Sequence, residues 1–308
     1  MRIYLNPHCD YGKGWQKWQK VESELRRFYG QFTVEEIISP EAIDNQVRKA
    51  IEAEEHVFIA AGGDGTVNLL LNALMNAPFQ KKNFIFGAIG LGSSNDFHKP
   101  FHAEKFINGI SVRMDSKEAT PCDVIRVNYK NSHDHFIKRY CLINASVGIT
   151  AQANAVYNAR IPWIEFIQKI CIEGAILASA LKTIFSFKNI PCQIETNAAE
   201  PQKINITNLG VIKNPHFAGG MCYDTAIQPD DGKLGVNVCN NMTICQVIGT
   251  LIKLYKKQFQ GKPKTQTYSA QSLSVKSKQP FALEMDGEVV QTKEAKFEIF
   301  PKAMRCCS

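Results

Sequence analysis

Residues 60–68 read A-A-G-G-D-G-T-V-N and follow at once on the apolar run His56-Val57-Phe58-Ile59. A buried strand that ends in paired glycines and resumes as a helix is a strand–turn–helix unit built for close approach of backbone to a ligand. Glycine lacks a Cβ, so it accepts the tight turn and leaves its N–H groups open to an anion. The helix expected over 67–75, apolar at Leu70, Leu71 and Leu74, points its positive end at the same spot. Asp64 lies inside the turn, where a carboxylate repels a phosphate unless a cation stands between them. The stretch therefore predicts a nucleotide phosphate with Mg²⁺. The competing reading is an ordinary glycine turn with a capping aspartate.

A chain of 308 residues accommodates two ordinary domains or one large one. Its formal charge of +7 suits an anionic nucleotide or an anionic membrane surface, and is too dispersed to argue for nucleic acid. No nucleic-acid-binding motif accompanies it. The opening Met1-Arg2-Ile3-Tyr4-Leu5-Asn6-Pro7 runs straight into a strand, so no signal peptide is expected. Ten cysteines without a C-x-x-C pair predict a reduced, cytoplasmic chain without zinc. His133-Asp134-His135 reads as a solvated hairpin tip among Lys130, Asn131 and Ser132. The most apolar stretch, 161–187, carries Glu165, Lys169 and Glu173 at every fourth residue, a charged stripe that a lipid-spanning helix does not tolerate. It predicts one amphipathic helix, and membrane contact that is peripheral.

The first third alternates strand and helix: strands over 3–5, 32–38, 57–61 and 84–89, with helices over 15–29 and 41–54 and after the glycine turn. The 15–29 helix carries Trp18, Val21, Leu25 and Phe28 on its apolar face. This rhythm predicts an α/β fold with a parallel sheet, whose ligands bind at the carboxyl ends of the strands. From Cys122 onward short alternating strands dominate, over 124–129, 136–142, 192–196, 203–207, 210–212, 235–239, 272–275 and 281–285. They predict an antiparallel β-sandwich domain with the 161–187 helix inserted. The expected domains are 1–121, a nucleotide-binding unit, and 122–308, with the extreme C-terminal segment returning to the first.

A second glycine segment, Gly90-Leu91-Gly92-Ser93-Ser94-Asn95-Asp96-Phe97, again follows a strand. Two glycine turns and two carboxylates, Asp64 and Asp96, would thus face one region, and Asp123 opens the next strand. Together with Asp286-Gly287-Glu288, the motifs G-G-D-G-T-V-N and G-S-S-N-D-F resemble the diacylglycerol kinase catalytic family, which includes bacterial YegS-type lipid kinases and sphingosine kinases. The resemblance covers nearly the whole chain. Asn6-Pro7 is similar to the family's opening turn, Ser39 falls where the family often has a Thr against ATP, and 214–238 resembles its second-domain signature.

That resemblance implies an ATP- and Mg²⁺-dependent kinase acting on a lipid hydroxyl, diacylglycerol-like first and a sphingoid base second. Asn6, Ser39, Gly62, Gly63, Asp64, Gly65, Thr66, Val67, Asn68, Ser93 and Asn95 would hold the nucleotide. Asp64, Asp96 and Asp123 would organise Mg²⁺ and its waters, and Asp286 or Glu288 would take the proton of the lipid hydroxyl. Gln228, Asp231 and Lys233 match a separate structural Mg²⁺ site, Lys233 through its carbonyl oxygen. Taken without the resemblance, Asp286-Gly287 is a type I′ hairpin turn. Leu69, His8-Cys9-Asp10 and Gly90 depart from the family pattern without removing a needed carboxylate. Phe166, Ile167, Ile170, Ile176, Leu177, Leu181, Ile184 and Phe185 either meet lipid or pack on the sheet, and nearby lysines favour an anionic membrane. The competing functions are an NAD kinase or phosphofructokinase-like kinase, and a catalytically silent lipid- or nucleotide-binding regulator. The sequence leaves monomer and homodimer open.

Overall fold

β1 (Arg2–Leu5), β2 (Thr33–Glu36), β3 (Val57–Gly62) and β4 (Ile85–Gly90) pair in parallel in the order β2-β1-β3-β4. Parallel neighbours cannot be joined by a tight turn, so each step carries a helix. These are α1 (Gly14–Tyr29), α2 (Ala42–Glu52) and α3 (Asp64–Asn76). The computed structural model describes residues 1–78, 84–99, 105–159, 161–197 and 199–308, and not the side chains of 165, 169, 172, 173 and 199. The chain divides into two units, Met1–Asp123 with Lys302–Ser308, and Val124–Pro301.

In the first unit, α1 buries Trp18, Val21 and Leu25 against Ile3, Leu5, Ile59 and Ile89 of the strands. Their i, i+3, i+7 spacing sets one helix face, and burying it is what holds the helix to the sheet. Phe28, expected on that face, is instead exposed, with the Arg27 guanidinium 4.8 Å from its ring centre. Outside β4 lies a hairpin absent from the sequence reading, β5 (Lys105–Ile107) and β6 (Ile110–Arg113); β6 pairs with Ala88 and Ile89. The other half of that edge pairs with Arg305 and Cys306, which run parallel to Ile85 and Phe86. Cys306 is disulfide-bonded to Cys122, 184 positions away, with 6.2 Å between their Cα atoms. The expectation of a fully reduced chain is thus corrected for this pair. Linear spacing could not reveal it, because the partners lie on strands 184 positions apart that only the fold brings together.

β7 (Thr120–Lys130) leads into the second unit and β15 (Glu288–Cys306) leads back. Between them come β8 (Phe136–Cys141), β9 (Asn144–Gly148), β10 (Ile190–Thr196), β11 (Ala199–Ile212), β12 (Leu234–Asn240), β13 (Thr265–Ala270) and β14 (Ser272–Met285). The strands run antiparallel in the order β13-β12-β11-β10-β14-β15, and β9 pairs antiparallel with both β11 and β14. Strands expected separately at 203–207 and 210–212 are one strand with an irregularity between Ile206 and Asn208. The pair at 272–275 and 281–285 likewise fuses across an irregularity between Lys276 and Phe281. Ile125, Val127, Val147, Leu209, Val236, Leu273, Phe281 and Leu283 form the core of this unit. The β7–β8 hairpin tip carries His133-Asp134-His135 on the side chain of Asn131, as expected of a solvated turn.

The single helix expected over 161–187 is two, α5 (Pro162–Ile170) and α6 (Ile172–Ser186), preceded by α4 (Ile149–Asn158). Cys171 breaks the run in extended conformation, and its sulfur accepts the N–H of Gly174. The charged stripe of Glu165, Lys169 and Glu173 lies outside the described side chains. After β12 comes α7 (Ile244–Tyr255), started by a capping box in which Thr243 and Gln246 bond each other's backbone N–H. No helix among the described residues is long and apolar enough to cross a membrane.

Candidate active site

The two glycine turns meet at the ends of β3 and β4. Leu91 and Gly92 both donate N–H bonds to the Gly62 carbonyl, at 2.9 and 3.2 Å. A Cβ on Gly92 would collide with the Cα of Gly63, and one on Gly62 with the side chain of Thr66. Glycine is needed at both because backbone packs on backbone there. Gly63 caps α3, and Thr66 and Val67 bond back to its carbonyl at 2.9 and 3.1 Å. Around Gly65, which is exposed, a Cβ would meet nothing within 4 Å, so the first turn of α3 is open to an approaching anion.

The side chains expected around the nucleotide divide into two groups. Asn6 donates to Thr66 Oγ1 at 3.1 Å and so ties the first strand's end to the glycine turn. Asn95, in left-handed conformation at φ 51°, donates its amide to the carbonyls of Gly90 and Gly92, both at 3.1 Å. Its Oδ1 is buried without a hydrogen-bond partner. Ser93 is exposed beside it. By contrast Val67 and Asn68 point inward, and Asn68 accepts from the Asn72 amide. Ser39, ahead of α2, accepts the Ala42 N–H through both its hydroxyl and its carbonyl. Lys17, which the sequence reading missed, holds the second glycine turn. Its ammonium donates to the carbonyls of Leu91 and Gly92 at 3.1 and 3.0 Å and pairs with Asp10 at 2.9 Å.

Asp64, Asp96 and Asp123 each receive an internal donor. The two Asp64 oxygens accept the backbone N–H groups of Asp96 and Phe97, both at 3.0 Å, so this carboxylate fastens one glycine turn to the other. Asp96 accepts from Ser94 Oγ at 2.8 Å and pairs with Lys99. Asp123 accepts the Lys302 N–H at 2.8 Å. Among the described residues no group of three His, Cys, Asp or Glu stands together to hold a metal ion. Direct ligation by all three together is thus not what these side chains show, and their organising Mg²⁺ through its waters stays an expectation. A helix N-terminus with exposed glycine backbone, however, fits the phosphates of a nucleotide.

Below the second turn, His98 is buried with an unpartnered Nδ1, and burial first, then the Arg113 charge, lower its pKa from 6.5 to about 3. Between pH 3 and 6.5 the unfolded chain binds more protons than the folded one. Stability present above pH 6.5 therefore declines as pH falls through that window, by about 1.4 kcal/mol per pH unit from this group. Urea unfolding at pH 7 and pH 5 should show the wild type losing about 2 kcal/mol more than His98→Phe. Equal losses would remove His98 from the account.

In the second unit, the Asp286-Gly287 turn has positive φ at both residues, 45° and 97°, as a type I′ hairpin requires, and Met285 pairs with Glu288 across it. The Asp286 carboxylate is buried and accepts three backbone N–H groups, from Leu142, Ile143 and Asn144, at 2.9, 3.1 and 2.9 Å. Three main-chain donors thus hold this carboxylate in place inside the unit. Glu288, two residues on, is exposed to solvent. Glu284, which the sequence reading passed over, is buried and accepts from Gly287 N–H at 2.7 Å and Ser146 Oγ at 2.8 Å. Asn158 donates to the Gly287 carbonyl at 3.1 Å. The hairpin turn is thus held from three sides and presents Glu288 alone as a carboxylate facing water.

The oxygens expected to bind the structural Mg²⁺ do converge, but on an ammonium. Lys213 Nζ donates to the Gln228 carbonyl at 2.7 Å, Asp231 Oδ1 at 2.8 Å and the Lys233 carbonyl at 3.0 Å. The donor set is already filled, so the residues do not fit a divalent ion there.

Stacked glycine turns on a helix N-terminus, together with a separate antiparallel unit, define a phosphate-binding α/β enzyme fold with a β-sandwich-like partner domain. Residues 1–127 match the diacylglycerol kinase catalytic domain, and 144–308 match the YegS C-terminal NAD kinase beta sandwich-like domain. The chain belongs to this family of lipid kinases. It is 24% identical over 260 residues to a probable lipid kinase YegS-like of Shewanella frigidimarina (strain NCIMB 400), across 84% of this chain and 78% of that one. A diacylglycerol kinase of Staphylococcus epidermidis (strain ATCC 35984) is 36% identical over 84 residues, 27% of this chain and 25% of its own. Two solved Bacillus anthracis str. Sterne structures, the second titled as a diacylglycerol kinase, superpose with TM-scores of 0.73 and 0.65 at 17% and 14% identity. They cover 99% of this chain and 94% and 95% of theirs. At such identities the likeness establishes the fold.

Proposed function

We propose that the chain transfers the γ-phosphate of ATP to the hydroxyl of a lipid alcohol at an anionic membrane surface, a diacylglycerol-like alcohol first and a sphingoid base second. The observation that carries the reading is the pair of glycine turns stacked on the start of α3 in a chain of lipid kinase family. Phosphoryl transfer asks mainly for positioning and charge stabilisation. Gly63 and Gly65 offer backbone N–H groups to the phosphates, and Asp64 and Lys17 hold the two turns in register beneath them. Mg²⁺ arriving on the nucleotide supplies charge neutralisation. Glu288 takes the proton of the lipid hydroxyl, because it is exposed whereas Asp286 is buried and engaged by three backbone N–H groups.

The second unit supports the membrane side of this reading. α5 exposes Trp163, Phe166 and Ile170, α6 exposes Leu177, Leu181 and Phe185, and α7 exposes Ile244, Ile248, Ile252 and Tyr255. Each set follows helical spacing on one face, while Ile164, Ile184, Val247 and Leu254 are buried. Phe166, Ile170 and Phe185 are 66%, 71% and 70% exposed, which is high for side chains of this size. Lys182, Lys188, Lys256 and Lys257 are exposed nearby in sequence. Apolar faces edged by lysine are what an interfacial helix presents to anionic lipid.

The test incubates the full chain with labelled ATP, Mg²⁺ and vesicles of phosphatidylglycerol carrying diacylglycerol or a sphingoid base. Labelled lipid is expected, with a loss of tenfold or more when Phe185 and Ile252 are both changed to Ser. Phosphorylation of NAD⁺ or a sugar phosphate instead of lipid would overturn the acceptor, and no product from any acceptor would leave a binding regulator.

A further inference from the structure

Lysine is rarely buried, and a buried charge persists only where partners replace its water. The Lys213 side chain is 2% exposed. It follows the last residue of β11, and its own N–H bonds to the Ile143 carbonyl at 2.9 Å, which fixes where the side chain starts. An ammonium has three N–H donors, and three oxygens receive them, at 2.7, 2.8 and 3.0 Å. Two are main-chain carbonyls, of Gln228 and Lys233, and the third is the Asp231 carboxylate, which also accepts the Lys233 N–H at 3.0 Å. Burial raises the Asp231 carboxyl, but the bonds from Lys213 and the Lys233 N–H outweigh it and leave the group below its usual range.

Carbonyl oxygens gathered around one carboxylate make a hard-cation ligand set. We propose that Lys213 is a resident cation, covalently part of the chain, which orders the 228–233 loop in place of a divalent metal. A metal ion and an ammonium cannot share these three oxygens, since both charges would occupy one position. The loop therefore folds without metal, and any need for Mg²⁺ in this protein belongs to the nucleotide alone. The inference concerns the second unit and stands whatever the acceptor proves to be.

The experiment follows thermal unfolding of the full chain, without nucleotide, in EDTA and in Mg²⁺ or Ca²⁺, with metal content measured by mass spectrometry. The wild type should unfold at the same temperature in all three and carry far less than one metal per chain. Lys213→Ala should unfold several degrees lower in EDTA, because the three oxygens lose the buried ammonium that they share. Mg²⁺ or Ca²⁺ should recover part of that loss, and Asp231→Asn added to Lys213→Ala should abolish the recovery. Lys213→Met, which keeps the bulk and lacks the charge, should also be destabilised but not rescued, because its side chain fills the space. A wild type that loses stability in EDTA, or purifies with one tightly held metal, overturns the proposal. So does a Lys213→Ala protein indifferent to both ions.

Discussion

Glu288→Gln should lower kcat about 10²- to 10⁴-fold, the range a positioned general base contributes, while leaving the KM for ATP unchanged. The side chain is exposed at the far side of a tight turn, so its loss should alter stability by no more than about 0.5 kcal/mol. A rate defect without a stability defect is the signature to look for, measured as lipid phosphorylation beside a urea unfolding curve. Wild-type turnover in the glutamine variant would remove Glu288 from the chemistry and return the question to the buried carboxylates.

Asp286→Ala should show the opposite pattern. Three backbone N–H groups would lose a charged acceptor in a buried site, and each such bond contributes about 1.5–3 kcal/mol. Because the three act as a unit, the expected loss is roughly 3–5 kcal/mol, including the strain of alanine at positive φ. Asp286→Asn separates the contributions. Asn-Gly suits a type I′ turn as well as Asp-Gly, so the hairpin is kept while one accepting oxygen becomes a donor facing the Leu142 N–H. About 2 kcal/mol should be lost there. Per folded molecule, kcat should stay within about tenfold of wild type. A 10³-fold fall in kcat with normal stability would make Asp286 the base after all.

These contrasts show which parts of the molecule were legible in the sequence. The strand–helix alternation of the first unit was readable because Trp18, Val21 and Leu25, or Ile43, Val47 and Ile51, repeat at helical spacing on a buried face. The glycine turns were readable from their composition, though not that Gly92 of one packs on Gly63 of the other. The break at Cys171 was not, since the residue that caps α6 is a cysteine rather than a Ser, Thr, Asp or Asn. The start of α7 at Thr243, with Gln246 three residues on, carried a signal that could have found it. The carboxylates were found, but not the main-chain groups that hold them. Asp64 bonds main-chain N–H groups 32 and 33 positions away, and Asp286 bonds others 142–144 positions away. A backbone N–H looks alike in every residue, so sequence does not mark which carboxylate it will meet. Lys213 was hidden differently, as a lysine whose surroundings become anionic only through folding.

The return of the chain to its first unit sets an order in time. Asp123 takes its N–H from Lys302, 179 positions later, and one half of the β4 edge is covered only by Arg305 and Cys306. On a ribosome, then, the unit translated first is the last to be completed. All of 124–301 must emerge before residues 302–308 can close the sheet beneath the glycine turns. A nascent or truncated chain consequently carries an unfinished phosphate-binding unit with a bare strand edge, and chaperone demand during synthesis should peak there rather than on the larger β-rich portion.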